Sequence, residues 1–251
     1  MIIRPHGATQ LLITQPEHAA LARRIMEDWV ADDFSASPRR SQILRAIAEH
    51  DNGWREVDAA PLVDRETGNL LDFIHAPDDV RRAVWPRAVD RLAHVPYEAA
   101  LVAQHALEIY ARYRKEPAWE PFFAALEAAR NRHLHRASVP LDALQREYLF
   151  VRAGDLISLT FCNGWQAGQT IDGRYVVRLH ADHIIVTPDP FAGRIIPIVI
   201  TAVEMPATPF SNATEAQETF RRGRRVLVAG TVRGGDGSNA HGRHEAHQDV
   251  E

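Results

Sequence analysis

Ile43-Leu44-Arg45-Ala46-Ile47-Ala48-Glu49-His50-Asp51-Asn52-Gly53-Trp54 is the stretch on which the reading of this 251-residue chain turns. Ile43, Leu44, Ala46, Ile47 and Ala48 recur at helical spacing, and the polar cluster Glu49 to Asn52 closes the run. Gly53 supplies a residue able to turn the chain at a helix end. An imidazole and a carboxylate side by side at such an end can serve one metal ion. Taken alone, the same pair is also an ordinary polar helix terminus. Its meaning depends on what the rest of the chain brings to it.

Upstream, Leu11 to Thr14 is a short β-prone run, and Gln15-Pro16-Glu17 opens a helix with Pro in its first turn. Ala19, Leu21, Ala22, Ile25, Met26 and Trp29 give that helix a wide apolar stripe. His18 precedes Ala22 and Ile25 by about one turn, so it points toward the core, where an unpaired imidazole is costly. A buried His bonded to a backbone carbonyl is the plainer alternative. Between His18 and His50 there is room for a helix, a polar break at Asp32 to Ser37, and an antiparallel return helix restarted at Pro38. Asp51, against an apolar helix face, needs a cation, several donors or solvent.

Downstream, Asn52 to Pro77 is a long loop rich in turn residues that carries Trp54, Arg55, Asp72 and His75. Asp78-Asp79 begins a helix through Arg91, with Pro86 predicting a kink or an early stop. Pro96-Tyr97-Glu98 opens a helix that is apolar nearly all round, the pattern of a central helix, interrupted midway by Gln104 and His105. A core His bonded to Tyr110 or a carbonyl is the alternative there. Trp119 to Arg132 is amphipathic and ends in the basic group Arg130, Arg132, His133, His135 and Arg136, which suits a solvated helix terminus. Pro140 starts the last long helix, where Asp155 stands among apolar neighbours and asks for a partner.

After Asn163-Gly164 the texture changes. Tyr175 to Leu179, His183 to Thr187, Ile195 to Val203 and Arg225 to Val232 read as antiparallel strands, with a short helix over Thr214 to Gly223. The sequence therefore predicts a mainly α protein, a helical bundle over 1–163 with a small C-terminal antiparallel β appendage over 164–233. The tail 234–251, with His241, His244 and His247, lacks apolar periodicity and is expected to be disordered.

Composition narrows the class. The formal charge of −4 argues against a general nucleic-acid field. Lys115 is the sole lysine, a bias that reflects coding more than chemistry. The single cysteine, Cys162, excludes an intramolecular disulfide framework and fits a reducing compartment. No run of about 18 apolar residues is present, and Met1 to Thr9 lacks a secretory pattern. The expectation is a cytoplasmic protein acting on a small molecule, with no nucleic acid or membrane partner. Trp-rich and β-rich surfaces suit a homodimer.

The ordered set of residues resembles the HD superfamily of metal-dependent phosphohydrolases. Glu17-His18-Ala19 is similar to the first-helix His of that superfamily, and His50-Asp51-Asn52-Gly53 to its His-Asp-x-Gly element. Gly154-Asp155-Leu156-Ile157-Ser158 is similar to the segment that supplies a late Asp ligand, while His75 and His105 fall where two-metal members place extra imidazoles. Trp54 stands where many of those hydrolases carry a Lys. More narrowly, Leu12 to His18, His50 to Trp54 and Asp155 to Leu159 resemble the bacterial domain-of-unknown-function family 3891.

The resemblance implies a helical HD-like fold over roughly residues 11 to 162 and a one- or two-metal site. His18, His50, Asp51 and Asp155 would hold a first divalent ion, and Asp51, His75 and His105 a second. His50 and Asp51, with Arg55, would carry catalysis on a small phosphate ester or nucleotide; Arg23 and Arg152 are further candidates to grip phosphate. Imidazole and carboxylate ligands suit Fe, Mn, Zn, Co or Ni alike. The same shell also serves di-iron oxygenases of this type, and a non-catalytic helical module with a structural metal is a third reading.

Overall fold

The chain enters as a hairpin. β1 (Ile2–His6) and β2 (Thr9–Ile13) pair antiparallel around Gly7, whose φ of +61° is the left-handed conformation a tight turn of this kind requires. α1 (Gln15–Met26) follows at once. Thr14 caps it by accepting from the Glu17 amide, and Asp58 accepts from the Gln15 amide at 2.5 Å. α2 (Arg40–Glu49) returns beside α1 and delivers His50 at its C-terminal cap. A single 3-10 turn, Asn52–Trp54, then leads to a two-residue hairpin of β3 (Leu62–Val63) and β4 (Leu70–Leu71) inside the loop.

α3 (Asp78–Arg91) continues past Pro86 and does not stop there. α4 (Pro96–Ile109) is buried along most of its length, as its all-round apolar pattern predicts. α5 (Glu120–Ala137) and α6 (Leu141–Asn163) complete the helical part. β5 (Gln169–Ile171), β6 (Tyr175–His180), β7 (His183–Thr187) and β8 (Ile195–Pro206) come next, then α7 (Ala213–Arg222) and β9 (Arg224–Gly234). The computed structural model describes residues 1–235. The tail expected to be disordered from Gly234 starts later than that, since Gly234 ends β9 and the Gly235 amide donates to the Val186 carbonyl; the rest of it, with its three His, lies outside the described residues.

The sheet corrects the predicted fold class. It is a mixed seven-stranded sheet in the order β1-β2-β8-β9-β7-β6-β5, and helices account for only about half of the chain, so the fold is not mainly α with a small β appendage. Two of its strands come from the first 13 residues: Leu12 of β2 lies opposite Val203 of β8. β7 and β9 run parallel, so the sheet is not wholly antiparallel. The error has a physical origin. A five-residue strand signal marks an extended segment but does not say which strand it bonds, and the partner of β2 lies on the far side of six helices.

Alternation along β8 shows how the sheet meets the helices. Ile196, Ile198 and Ile200 are buried together with Val177, Leu179, Ile184 and Val186 from β6 and β7. This face packs in one apolar core with Leu21 and Ile25 of α1 and Ile157 and Phe161 of α6. Each such aliphatic side chain contributes about 1.5–3 kcal/mol by leaving water. A second core joins Trp54, Trp85, Val89, Trp119 and Phe122. α4 belongs to both, placing Leu101 in the first and Ala103 in the second, and the polar cluster described next lies along this seam.

Candidate metal centre

Four helical elements present five polar side chains to the same point. His18 comes from α1, His50 and Asp51 from the end of α2, His105 from the middle of α4 and Asp155 from α6. Close helix contact makes this possible. On α6, a Cβ at Gly154 would lie 2.9 Å from Met26 Cγ and 3.2 Å from Ile47 Cγ2, so the bare residue lets α6 settle against α1 and α2 and brings Asp155 to the histidines. At Gly53 a Cβ would meet the Val84 carbonyl oxygen at 2.0 Å. The turn after His50-Asp51 is thereby pressed against α3.

The distances are short and mutual. His18 Nε2 lies 3.1 Å from His50 Nε2, 3.1 Å from Asp51 Oδ2 and 3.3 Å from Asp155 Oδ1. His50 Nε2 lies 3.3 Å from Asp51 Oδ2 and 3.4 Å from Asp155 Oδ1. His105 Nε2 stands further back, 4.0 Å from Asp155 Oδ2. Two overlapping sets of ligand atoms, His18/His50/Asp51 and His50/His105/Asp155, each fall within 4.8 Å. The two Asp and the three His are all buried or nearly so.

Outer hydrogen bonds decide which ring nitrogens face inward. His50 Nδ1 lies 2.7 Å from the Ile47 carbonyl, which can only accept, so Nδ1 carries the proton. The Ser158 hydroxyl donates to the Asp155 carbonyl at 3.3 Å and therefore accepts from His18 Nδ1. His105 Nδ1 is held by the Tyr148 hydroxyl at 3.1 Å. In their neutral forms His18 and His50 thus direct bare Nε2 lone pairs at each other and at two carboxylates. Such outer bonds are the usual means of orienting metal-ligating imidazoles.

Four electron-rich atoms cannot meet in a dry interior without positive charge between them. Protons alone can supply it. Burial opposes charge on His18 and His50, yet the neighbouring carboxylates outweigh it and hold both pKa values above the ordinary range. Burial likewise pushes Asp51 and Asp155 up, and the imidazoles more than reverse it, leaving both well below the usual carboxylate range. Burial dominates at His105 and pushes it down to about 4, so that ring is neutral and its lone pair is available. A divalent cation would supply the same charge. A tetrahedron with edges like those measured has its centre about 2.0 Å from each corner, close to the metal–nitrogen and metal–oxygen bond lengths of such sites. The residues present therefore fit a metal ion.

Asp51, His105 and Asp155 also line a cavity of about 220 Å³, whose walls include Trp54, Trp85, Tyr110 and Leu159. Trp54 both fills the second core and shapes this cavity. The remaining sequence candidates lie elsewhere. His75 is 71% exposed at its side chain and is closed on Asp72, 2.7 Å away, beside a different surface depression. Arg55 pairs with Glu49, Arg23 with Glu27 and Arg152 with Asp172, and none of the three lines the cavity. The arginines that do are Arg81 and Arg112, which periodicity could not separate from the many others. Ser158 and Tyr148 were also missed as supports. Ser158, one turn beyond Asp155, was the readable one of the two.

Among the described residues no helix is long and apolar enough to cross a membrane. No curated protein and no solved structure matches the chain. A family described as protein of unknown function (DUF3891) matches residues 1–207, a span that includes all five residues of the cluster, and the chain belongs to that family.

Proposed function

We propose that this protein is a metal-dependent hydrolase of small phosphate esters, built on an HD-type ligand set of His18, His50, Asp51 and Asp155, with His105 available to a second ion. One observation carries the reading: imidazoles and carboxylates from four separate helices converge with their unprotonated atoms inward, and they do so at the floor of a cavity rather than in a closed core. A structural metal has its coordination closed by protein, whereas a catalytic one borders space for water and substrate. The ion in such a site supplies charge to polarise a phosphoryl oxygen and to acidify water.

The chain's own groups perform the remaining tasks. Ser158 and the Ile47 carbonyl hold His18 and His50 in the tautomer that leaves Nε2 free. Tyr148, kept neutral because burial raises its pKa well above the ordinary value, positions His105. Trp54, Trp85 and Leu159 exclude bulk water from the cavity wall, which strengthens every charge interaction within it. Asp51 and Asp155 border that cavity and are placed to take up a proton from an attacking water.

The test is metal analysis of the purified protein beside Asp51→Ala, joined to assays of phosphate release from phenyl phosphate and of oxygen consumption. Near-stoichiometric metal in the wild type, little in the variant, and metal-dependent phosphate release are expected. Equal metal in both proteins would overturn the site. A loaded protein that consumes oxygen and releases no phosphate would overturn the hydrolase reading in favour of a di-iron oxygenase.

A further inference from the structure

The cavity above the cluster carries polar groups that the metal reading does not use. Arg81 of α3 lines it, with a side chain only 12% exposed, and its Nε is buried with no hydrogen-bond partner among the described residues. Its other nitrogens are anchored: Nη1 donates to Tyr113 Oη at 3.0 Å and Nη2 to Asp78. The guanidinium also lies over the rings of Tyr113 and Trp119, at 5.2 and 5.7 Å from their centroids. Arg112, a second residue on the cavity wall, donates to the same Tyr113 oxygen at 2.8 Å. One phenol oxygen thus ties two cations together at one cavity, and Asp78 is the only carboxylate among the described residues bonded to either. Gln15, almost wholly buried on the same wall, leaves its Oε1 without a donor among the described residues.

Two guanidinium groups held together on one cavity wall call for an anion. Apart from Asp51, His105 and Asp155 of the cluster, the rest of the wall is aromatic and aliphatic. The volume of about 220 Å³ exceeds the roughly 150 Å³ of an apolar cavity that accepts benzene, but falls short of the about 300 Å³ at which pockets for larger ligands begin. We infer that Arg81, assisted by Arg112, is the anion-reading residue of this cavity, and that the ligand is a small anion with an apolar body of one ring's size, such as an aryl or short alkyl phosphomonoester. A nucleotide or dinucleotide would leave most of its body outside. The use of that ligand as a substrate rests on the hydrolase reading; its recognition does not.

Calorimetric titration of the full-length, chelator-treated protein separates the two. Phenylphosphonate is expected to bind at least ten times more tightly than benzyl alcohol, which lacks the charge, and than inorganic phosphate, which lacks the body. Arg81→Gln and Arg112→Gln should each weaken phenylphosphonate about tenfold and leave benzyl alcohol unchanged. Arg112 is exposed, so its variant tests the inference even if Arg81→Gln fails to fold. Unchanged phenylphosphonate affinity in Arg112→Gln, or equal binding of the alcohol and the phosphonate, overturns it. Metal analysis of the same proteins before chelator treatment keeps the two readings apart. Metal retained with no arginine dependence removes this inference alone, whereas arginine-dependent binding by a wild type that holds no metal removes the hydrolase alone.

Discussion

Two of the places where histidine meets aspartate in this molecule behave oppositely. At the surface, His75 and Asp72 close on each other at 2.7 Å, and water satisfies whatever the pair leaves open. In the interior, His18, His50 and His105 meet Asp51 and Asp155, and no further side-chain donor among the described residues settles the inward lone pairs. The residue types are the same, and burial makes the difference. A histidine beside an aspartate is therefore an informative sign of a metal only where the surroundings forbid other solutions.

Replacing a carboxylate of the interior group should have the largest effect. Asp155→Ala is expected to bring bound metal, read by mass spectrometry, from near one equivalent to below about a tenth, since ligand loss removes binding free energy directly. Next comes the turn that presents the pair. A Cβ at Gly53 would collide with the Val84 carbonyl oxygen, so Gly53→Ala should cost about 3 kcal/mol in urea unfolding, at the upper end for overpacking because the obstacle is backbone. Third, Ser158→Ala frees His18 Nδ1 and should weaken metal affinity about 10–100-fold in competition with a chelator, with little change in fold. Smallest is the surface pair: His75→Ala should alter stability by less than about 0.5 kcal/mol and leave metal content unchanged. A fall in metal with His75→Ala comparable to that with Asp155→Ala would break the contrast and bring the surface imidazole into the centre.

Legibility followed the range of the interaction. Helix boundaries were readable because their causes are local: Thr14 capping α1, Pro140 preceding α6, and the uninterrupted apolar surface of α4. His18, His50, Asp51, His105 and Asp155 were readable as candidates because each is a polar residue set in an apolar pattern. His75 carried the same letter in a loop, where pattern says nothing about depth. The β1 strand, the parallel β7–β9 pairing and the union of β2 with β8 were not readable, since register depends on partners remote in sequence. Arg81 and Arg112 were hidden for a related reason. Nothing local sets them apart, and only the Tyr113 oxygen they share makes them a pair.

By itself the sequence determined which segments become helices, which polar groups those helices carry into apolar surroundings, and that such groups require compensation. Tertiary structure alone decided that five of them share one centre, that the centre opens into a cavity carrying two arginines, and that the first thirteen residues complete a sheet begun near the other end. The reason is physical. Backbone propensity and periodicity act over a few residues, while the desolvation of a charge and the pairing of a strand edge are settled by whatever lies beside them in space.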